Sequence, residues 1–412
     1  MKILIKLSLL GVAWLASLAS AECKDYHPFG FFSKFYSGQN DLSGDQKRQL
    51  ITALWSGIRV LHVDPSLGGR DWNRLRDEAT QAVLRTESDA AAYAIAKQMV
   101  LRLADGHSRL FTPSDFARHE GSDRPLEIGL YTVKKGGLVV VASVEDNSPA
   151  AKAGLRRGDV VQAVNGSSCA IEETLSVLQG SRLELRILRG DQSLETVVHP
   201  VPAGFESPPV FTEIRGTPSI FYVRIKSFAG ESFAKSFASG LSEIASTSQV
   251  EGLIIDLRGN RGGSSANLKS ALSHFVEGDV GEASGRIPRR DRFIIEPSHI
   301  YPYYKAVKLV ILIDEGTNSA AELFAYILRT ERRALLIGAP TAGNAQGVAT
   351  FQLGSKLLLN LEIAHFHLKG VTLHSGFRIN PDIEVDVPWL DYRLPEDPLV
   401  QRAVEEMRRA SW

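Results

Sequence analysis

Ser319 is the residue whose surroundings most favour chemistry. It stands in the segment GTNSAAE at 316–322, shortly after the apolar run VKLVILI at 307–313. This order predicts a buried strand, a tight turn and a helix, which together expose a hydroxyl and direct the N–H groups of the helix N-terminus toward a developing oxyanion. Ser319 and Glu322 also fit a capping box, in which the serine only caps its own helix. The motif alone leaves a nucleophile and a helix cap as alternatives.

A glycine pair, Gly262 and Gly263, ends the segment DLRGNRGG. Glycine has no side chain, so the backbone can approach a substrate carbonyl closely at this point. An N–H group of one of the two glycines, together with that of Ala320, would form an oxyanion hole, where one donor contributes roughly 3–4 kcal/mol of transition-state stabilisation. We expect Asp256 and Arg258, in the same segment, to brace the loop rather than to react.

The histidines give weaker signals. His107 stands in DGHS at 105–108, where Asp-Gly interrupts a helical pattern and predicts a turn. A single histidine on a turn is most often a solvated polar residue. His365 and His367 would share one face if their segment is a strand, and two imidazoles can bind zinc. No third ligand stands at a recognisable spacing, so we predict a structural pair, with no metal site and no cofactor.

Three segments with different patterns would position these residues. Residues 22–122 carry apolar residues at helical spacing, which predicts an N-terminal helical domain, and residues 123–203 carry short β runs. Residues 204–412 alternate strands and helices, which is typical of an α/β layer whose ligand chemistry lies at the carboxyl ends of the strands. The predicted helices of the first segment span 46–60, 72–85 and 88–103. The predicted strands of the last segment span 219–225, 252–257, 307–313 and 334–337. The fold class is therefore multidomain α+β.

The N-terminus reads as a secretory signal peptide over residues 1–21. Two lysines accompany an apolar stretch, and Ala19-Ser20-Ala21 has the small residues of a cleavage site. The apolar stretch is too short to span a bilayer comfortably, and no later segment is apolar for long enough. The sequence thus predicts an exported protein, periplasmic or secreted, without a transmembrane segment.

Charge and cysteines limit the partners. The 47 Lys and Arg residues balance 47 Asp and Glu residues, so nothing favours nucleic acid or an acidic membrane surface. Cys23 and Cys169 could form one disulfide in an oxidising compartment or remain two thiols, and both outcomes stay open. Lipidation of Cys23 is disfavoured because Glu22 stands where a lipobox has a small residue.

Residues 148–166, with the motif SPAAKAGLRRGDVVQAVNG, resemble a PDZ domain. The resemblance implies that a peptide C-terminus adds as a strand, with its carboxylate held by backbone N–H groups of Ile128, Gly129 and Leu130. Glu127 departs from this pattern, because its charge would repel a carboxylate. The alternative is a PDZ fold used only for docking between domains.

Four ordered motifs resemble the C-terminal processing peptidases and their tricorn-protease relatives. The motifs are DLRGNRGG at 256–263, EGTNSAAE at 315–322, GAPTAG at 338–343 and NPDI at 380–383. With the PDZ-like segment and the DGHS turn, the resemblance covers nearly the whole chain after the signal peptide. It implies a crotonase-like or ClpP-like α/β serine peptidase core over 204–412, with Ser319 as the nucleophile and no cofactor.

The sequence departs from this family at the general base. In the processing peptidases a lysine in a Gly-Lys-Gly turn accepts the proton, whereas here the turn carries Asn344, a neutral amide without useful basicity. The tricorn relatives use a histidine that matches His107, with Ser108 as the companion hydroxyl, and an imidazole that titrates at about pH 6.5 can act as general base. The acid of the tricorn tetrad is missing from its expected segment. The groups that could substitute for it are Ser375, Glu315 and Glu322.

We therefore predict an exported serine endopeptidase that cleaves extended polypeptides or protein C-termini and docks its substrates through the PDZ domain. The alternative is a catalytically inactive binding protein of the peptidase fold, for peptides or a hydrophobic ligand, which the missing lysine and the missing acid favour. A structural adaptor that uses only the PDZ groove is the third hypothesis.

Overall fold

The computed structural model describes residues 42–116, 126–168, 171, 175, 182–214, 219–247, 249–286, 290–354, 357–386 and 396–409. The predicted signal peptide, Cys23 and Cys169 lie outside the described residues.

The described elements are the following. The helices are α1 Gly44–Leu61, α2 Trp72–Leu84, α3 Asp89–Leu101, α4 Pro149–Lys152, α5 Phe233–Thr247, α6 Ser265–Leu272, α7 Tyr301–Tyr304, α8 Ala320–Thr330 and α9 Pro398–Arg408. The strands are β1 Arg109–Phe111, β2 Leu126–Glu127, β3 Leu130–Lys135, β4 Leu138–Val144, β5 Val160–Val164, β6 Leu183–Arg189, β7 Gln192–Val198, β8 Val201–Pro202, β9 Val210–Glu213, β10 Ile220–Arg224, β11 Gly252–Asp256, β12 Gly278–Gly285, β13 Arg290–Ile295, β14 Lys308–Ile313, β15 Ala334–Gly338, β16 Gly347–Gly354, β17 Leu357–Leu368, β18 Val371–Leu373 and β19 Ile383–Glu384. The helices and strands predicted from periodicity are confirmed to within a few residues at each end.

The first of two compact units contains the described residues within Met1–Pro125, Glu282–Asp291 and Gln346–His367. Its helices α1 to α3 are preceded by the N-cap residues Ser43, Asp71 and Ser88, whose side chains accept hydrogen bonds from backbone N–H groups of the first turn. The apolar faces of these helices pack against the β16–β17 hairpin. The shared core includes Leu54, Ile58, Val100, Leu359 and Leu361. The helical region therefore depends on two strands that come much later in the chain.

The second unit contains the described residues within Leu126–Gly281, Arg292–Ala345 and Leu368–Trp412. Its PDZ region is an antiparallel sheet in the order β3-β4-β5-β6-β7, with the short helix α4 capped by Ser148. The apolar residues Val141, Ala150 and Leu185 belong to a core of its own. The strands thus close a small β domain around these side chains.

The second unit also contains a six-stranded sheet in the order β19-β15-β14-β11-β10-β9, together with helices α5 to α9. All neighbouring pairs are parallel except β10 and β9. Every residue of β11 is buried, as is β14 after Lys308, which explains why both read as continuous apolar runs. The predicted fold class is confirmed, whereas the domain boundaries remain predictions. Among the described helices, none combines the length and the apolar composition needed to cross a bilayer.

Candidate active site

The loops that follow β11 and β14 are joined at the carboxyl edge of the parallel sheet. Asp314 Oδ1 accepts hydrogen bonds from Gly259 N and Gly316 N, both at 2.9 Å. The hydroxyl of Thr317 donates to the carbonyl oxygen of Leu257 at 2.9 Å. The side chains of Asp314 and Thr317, both buried, therefore hold the two predicted motif loops together.

Ser319 lies at the start of α8 in a strained backbone conformation. Its φ of 56° and ψ of −121° are rarely adopted by a residue with a side chain, and such a conformation costs about 1–3 kcal/mol. A Cβ atom added to Gly262 would lie 2.6 Å from Ser319 Cβ and 3.0 Å from Ala320 N. Glycine is therefore required at 262, where the two loops approach most closely.

The two glycines differ in how their N–H groups are used. Gly262 N donates to Asn260 Oδ1 at 2.8 Å. Phe228 pairs with the residues on either side of Gly263, because its N–H donates to Gly262 O and its carbonyl accepts from Ser264 N. The N–H of Gly263 consequently points away from Phe228. Of the pair, Gly263 has the N–H that could complete an oxyanion hole with Ala320.

Glu322 braces the turn around Ser319. Its buried carboxylate accepts hydrogen bonds from Ser319 N at 2.9 Å, Gly343 N at 2.7 Å, Asn344 N at 2.8 Å and Thr341 Oγ1 at 2.6 Å. Burial raises the pKa of Glu322, although these four bonds oppose the rise. The glutamate of the predicted capping box thus caps the backbone of Ser319 and ties it to the turn that carries Asn344.

Asp256 and Arg258 form a buried ion-pair network beneath the glycine loop. Asp256 lies 2.7 Å from both Arg224 and Arg258, and it accepts a hydrogen bond from Tyr222 at 2.7 Å. Arg258 also pairs with Asp397 at 2.6 Å. Burial would raise the pKa of Asp256, but the charges of the two arginines lower it well below its usual range. These contacts are those expected of bracing residues.

The PDZ region contacts the loop before Ser319. Lys135 at the end of β3 pairs with Glu315 at 2.8 Å. Arg157 pairs with Asp314 and donates to the carbonyl oxygen of Ala142 at 2.7 Å. The side chain of Asp314 therefore connects the PDZ region to both motif loops.

In the loop predicted to bind a peptide carboxylate, two backbone carbonyl groups accept hydrogen bonds from other residues of the PDZ region. Ile128 O accepts from Ala150 N and Gly129 O accepts from Glu145 N, both at 2.9 Å. Gly129 has a φ of 70°, and an added Cβ would lie 2.2 Å from Ser148 Cβ. Leu130 then begins β3, so the loop turns tightly into the strand beside which a peptide would add.

His107 and Ser108 belong to the first unit. His107 Nδ1 lies 2.7 Å from Glu362 Oε1 on β17, and the side chain of Glu362 is fully buried. Since a carboxylate accepts, Nδ1 donates to Glu362, and in the neutral imidazole this tautomer leaves the lone pair on Nε2, as a general base requires. Among the described residues, His107 Nε2 has no hydrogen-bond partner. Glu362 is not predicted from the sequence, because nothing in its local segment marks it.

Ser108 links the turn of His107 to β17. Its buried hydroxyl accepts a hydrogen bond from Glu362 N at 3.2 Å. Asp105 Oδ1 accepts from His107 N at 3.0 Å and from Ser108 N at 2.7 Å. The turn is therefore held from within by Asp105 and from outside by the strand that supplies Glu362.

A buried histidine and two carboxylates meet in this region. Ligand atoms of His62, Asp105 and Glu362 lie within 4.8 Å of one another. Each already has a partner, because His62 Nε2 bonds Asp105 at 2.8 Å and Glu362 bonds His107. They form a hydrogen-bonded network rather than a prepared metal site. His365 and His367 share the half-buried face of β17, and His367 Nε2 lies 2.6 Å from Ser284 Oγ.

Comparison with known proteins gives two domain matches and several relatives. Residues 219–385 match peptidase family S41, and residues 140–189 match the PDZ domain. The chain is 27% identical over 367 residues to the chloroplastic carboxyl-terminal-processing peptidase 2 of Arabidopsis thaliana, a match that covers 82% of this chain and 68% of the relative. It is 24% identical over 392 residues to the carboxyl-terminal-processing protease of Synechocystis sp., covering 88% and 87%.

A solved structure supports the same fold. The photosystem II D1 C-terminal processing protease has a TM-score of 0.61 to this chain at 24% identity, and the match covers 83% of this chain and 93% of that chain. The S41 match contains both motif loops and Ser319, and the PDZ match contains most of β4 to β6. This chain is a serine-type peptidase that acts on polypeptides, with residues 219–385 similar to peptidase family S41 and residues 140–189 similar to the PDZ domain.

Proposed function

We propose that the protein is an endopeptidase in which Ser319 is the nucleophile, His107 the general base and Glu362 the acid that orients it. The His107–Glu362 pair is the observation that carries the proposal. A buried carboxylate at 2.7 Å from Nδ1 fixes the imidazole, while Nε2 has no partner among the described residues. Asn344 cannot act as a base, so the proton of Ser319 requires another acceptor.

The reaction follows from these roles. Ser319 Oγ attacks the scissile carbonyl as His107 Nε2 accepts its proton, and the oxyanion is held by the N–H groups of Ala320 and Gly263. The C–N bond then breaks, and His107 returns the proton to the leaving amine. Water attacks the acyl-enzyme ester with the same base, which releases the carboxylic acid and restores Ser319. The Glu362 carboxylate stabilises the imidazolium that forms in each half-reaction.

Substitution of Ser319 distinguishes a nucleophile from a helix cap. Ser319→Ala should lower kcat on an unstructured protein substrate by about 10⁴–10⁶-fold with little change in thermal stability. Ser88→Ala is the matched control, because Ser88 caps α3. The control should lose about 1 kcal/mol of stability and keep its rate.

A second readout follows covalent labelling. A fluorophosphonate probe should label the wild type and the Ser88→Ala protein but not Ser319→Ala. A Ser319→Ala protein that behaves like the Ser88→Ala control, with reduced stability and an unchanged rate, would contradict the proposal and leave Ser319 as a cap.

We further propose that the PDZ region recognises the C-terminus of the substrate through the loop Ile128, Gly129 and Leu130. Titration with free-acid and C-amidated versions of one apolar peptide should show tighter binding of the free acid. Glu127→Gln should increase that difference, because it removes a negative charge beside the carboxylate. Equal affinities for the two peptides would show that the loop does not read a carboxylate.

We also propose that the protein is exported, because residues 1–21 have the sequence pattern of a signal peptide. Cells expressing the full chain should yield an exported protein whose mass corresponds to cleavage after Ala21. Retention of the intact N-terminus in the cytosolic fraction would contradict this proposal.

A further inference from the structure

His62 is a buried imidazole that the mechanism above does not use. It follows α1 and is 2% exposed. Nε2 lies 2.8 Å from Asp105 Oδ2, and Nδ1 lies 3.1 Å from the carbonyl oxygen of Asp64. Both ring nitrogens are therefore engaged, and the strongest contact is made to the carboxylate that organises the turn of His107.

The turn of His107 needs external support. Ala104 has a φ of 54° and Gly106 has a φ of 84°, so two positive φ values flank Asp105. A non-glycine residue in this region costs about 1–3 kcal/mol unless the surroundings hold it. Asp105 holds the turn by accepting the N–H groups of His107 and Ser108 with one oxygen, and His62 fixes the other oxygen.

Val63, the residue after His62, contacts Glu362, the partner of His107. Val63 N donates to the carbonyl oxygen of Glu362 at 3.0 Å. Adjacent residues of one segment thus contact the turn that carries His107, through Asp105, and the strand that carries Glu362. These contacts close a ring around the His107–Glu362 hydrogen bond.

Electrostatics agree with this geometry. Burial alone would lower the pKa of His62, but hydrogen bonds to Asp105 and Asp64 and the charges of Asp105 and Glu362 raise it. The imidazolium form of His62 would offset part of the negative charge that two buried carboxylates place beside His107.

We propose that His62 is a positioning residue for the general base: by fixing Asp105, it holds the turn in the conformation that keeps His107 Nδ1 on Glu362. This inference rests on the proposed function of His107. It concerns a residue that does not touch the reacting atoms, so its loss should change the rate more than substrate binding.

Two variants of the full chain distinguish the effect of the His62–Asp105 hydrogen bond from the effect of the volume of the His62 side chain. His62→Met fills a similar space without a donor, whereas His62→Gln keeps an amide donor near the position of Nε2. The methionine variant should lose on the order of 10²-fold in kcat with KM nearly unchanged, because a small displacement of a catalytic group has an effect of this size. The glutamine variant should recover most of that loss.

A double-mutant cycle with Glu362→Gln distinguishes a positioning role of His62 from a merely structural one, because only a positioning role couples the effects of the two substitutions on kcat. If His62 acts through the His107–Glu362 pair, adding His62→Met to Glu362→Gln should cost little further kcat. Fully additive losses would overturn the proposal, as would wild-type kcat in a folded His62→Met protein.

The outcomes also distinguish this proposal from that of the preceding section. If His107→Ala remains active, the assignment of the base fails, and the role of His62 fails with it. If His107→Ala is inactive while His62→Met is fully active, only the role of His62 fails. Should His62→Met not fold, His62→Asn replaces it, since its shorter amide does not reach Asp105. If neither folds while His62→Gln does, the bond serves folding and the positioning role is overturned.

Discussion

Replacing Glu362 with glutamine tests the least expected part of the site. The variant keeps the shape of the side chain and the backbone contacts to Ser108 and Val63, but it removes the charge opposite His107. The amide can also present its NH₂ group to Nδ1, which would favour the wrong imidazole tautomer. The substitution should therefore impair catalysis without unfolding β17.

The expected magnitude follows from burial and distance. The Glu362 side chain has no solvent exposure, and Oε1 lies 2.7 Å from Nδ1. Loss of one partner from a buried charge pair costs about 3–5 kcal/mol, which here falls on the imidazolium formed during the reaction. At about 1.4 kcal/mol per tenfold change in rate, kcat should fall about 10²–10⁴-fold.

Steady-state kinetics on an internally quenched peptide would measure this loss. Glu282→Gln is the matched control, because Glu282 is a carboxylate on β12, the strand paired with β17 at His367. The control should keep the wild-type kcat. A Glu362→Gln protein with wild-type kcat, alongside an inactive His107→Ala, would refute the orienting role. If both variants stayed active, the base itself would have to be another group.

Three further outcomes are expected. Gly262→Ala should lose both activity and stability, because its Cβ would lie 2.6 Å from Ser319 Cβ. Gly136→Ala, also at positive φ but with nothing near its added Cβ, should lose stability only. Equal activity in the two purified variants would contradict this prediction. Burial, with a smaller contribution from the charge of His299, lowers the pKa of His274 from its ordinary value of 6.5 to about 4. Between pH 4 and pH 6.5 the unfolded chain therefore binds more protons than the folded protein. The free energy of unfolding should thus decrease by about 3 kcal/mol as the pH falls from 6.5 to 4, and a His274→Gln protein measured by denaturant titration should lack this part of the slope. Asn344→Lys should not restore activity to His107→Ala, because a lysine without a burying environment stays protonated near neutral pH; recovered turnover would show that the turn can still use a lysine.

Much of the core could be predicted because its signals are local. β11 before Asp256 and β14 after Lys308 are buried on both faces of a parallel sheet, so these runs are apolar and can be predicted directly from the sequence. Helices α1 to α3 show the spacing of one buried face and begin at polar caps. The motif loops that follow these strands were expected at the same edge of the sheet, and shared hydrogen bonds to Asp314 confirm it.

The partner of His107 could not be predicted in this way. The family resemblance predicts an acid in the segment before the NPDI motif, but Glu362 lies in the middle of β17, within a largely buried run where a charged residue has no local signature. Its role becomes visible only once β17 packs against the helical region and pairs with β1. Which of Gly262 and Gly263 keeps an N–H for an oxyanion could not be predicted either, because it depends on the hydrogen bond to Asn260 and on the pairing with Phe228.

The helices and strands, the order of the motifs and the available chemical groups can be predicted without the structure: a hydroxyl at a strand-to-helix turn, adjacent glycines and an imidazole on a turn. Periodicity and turn chemistry act over a few residues, so they can be read from short windows. Which of these groups meet depends on the folded chain, since hydrogen bonds such as those joining His62 to Asp105 and His107 to Glu362 link residues far apart in the sequence. Such contacts depend on long-range strand pairing and packing, to which no local pattern corresponds.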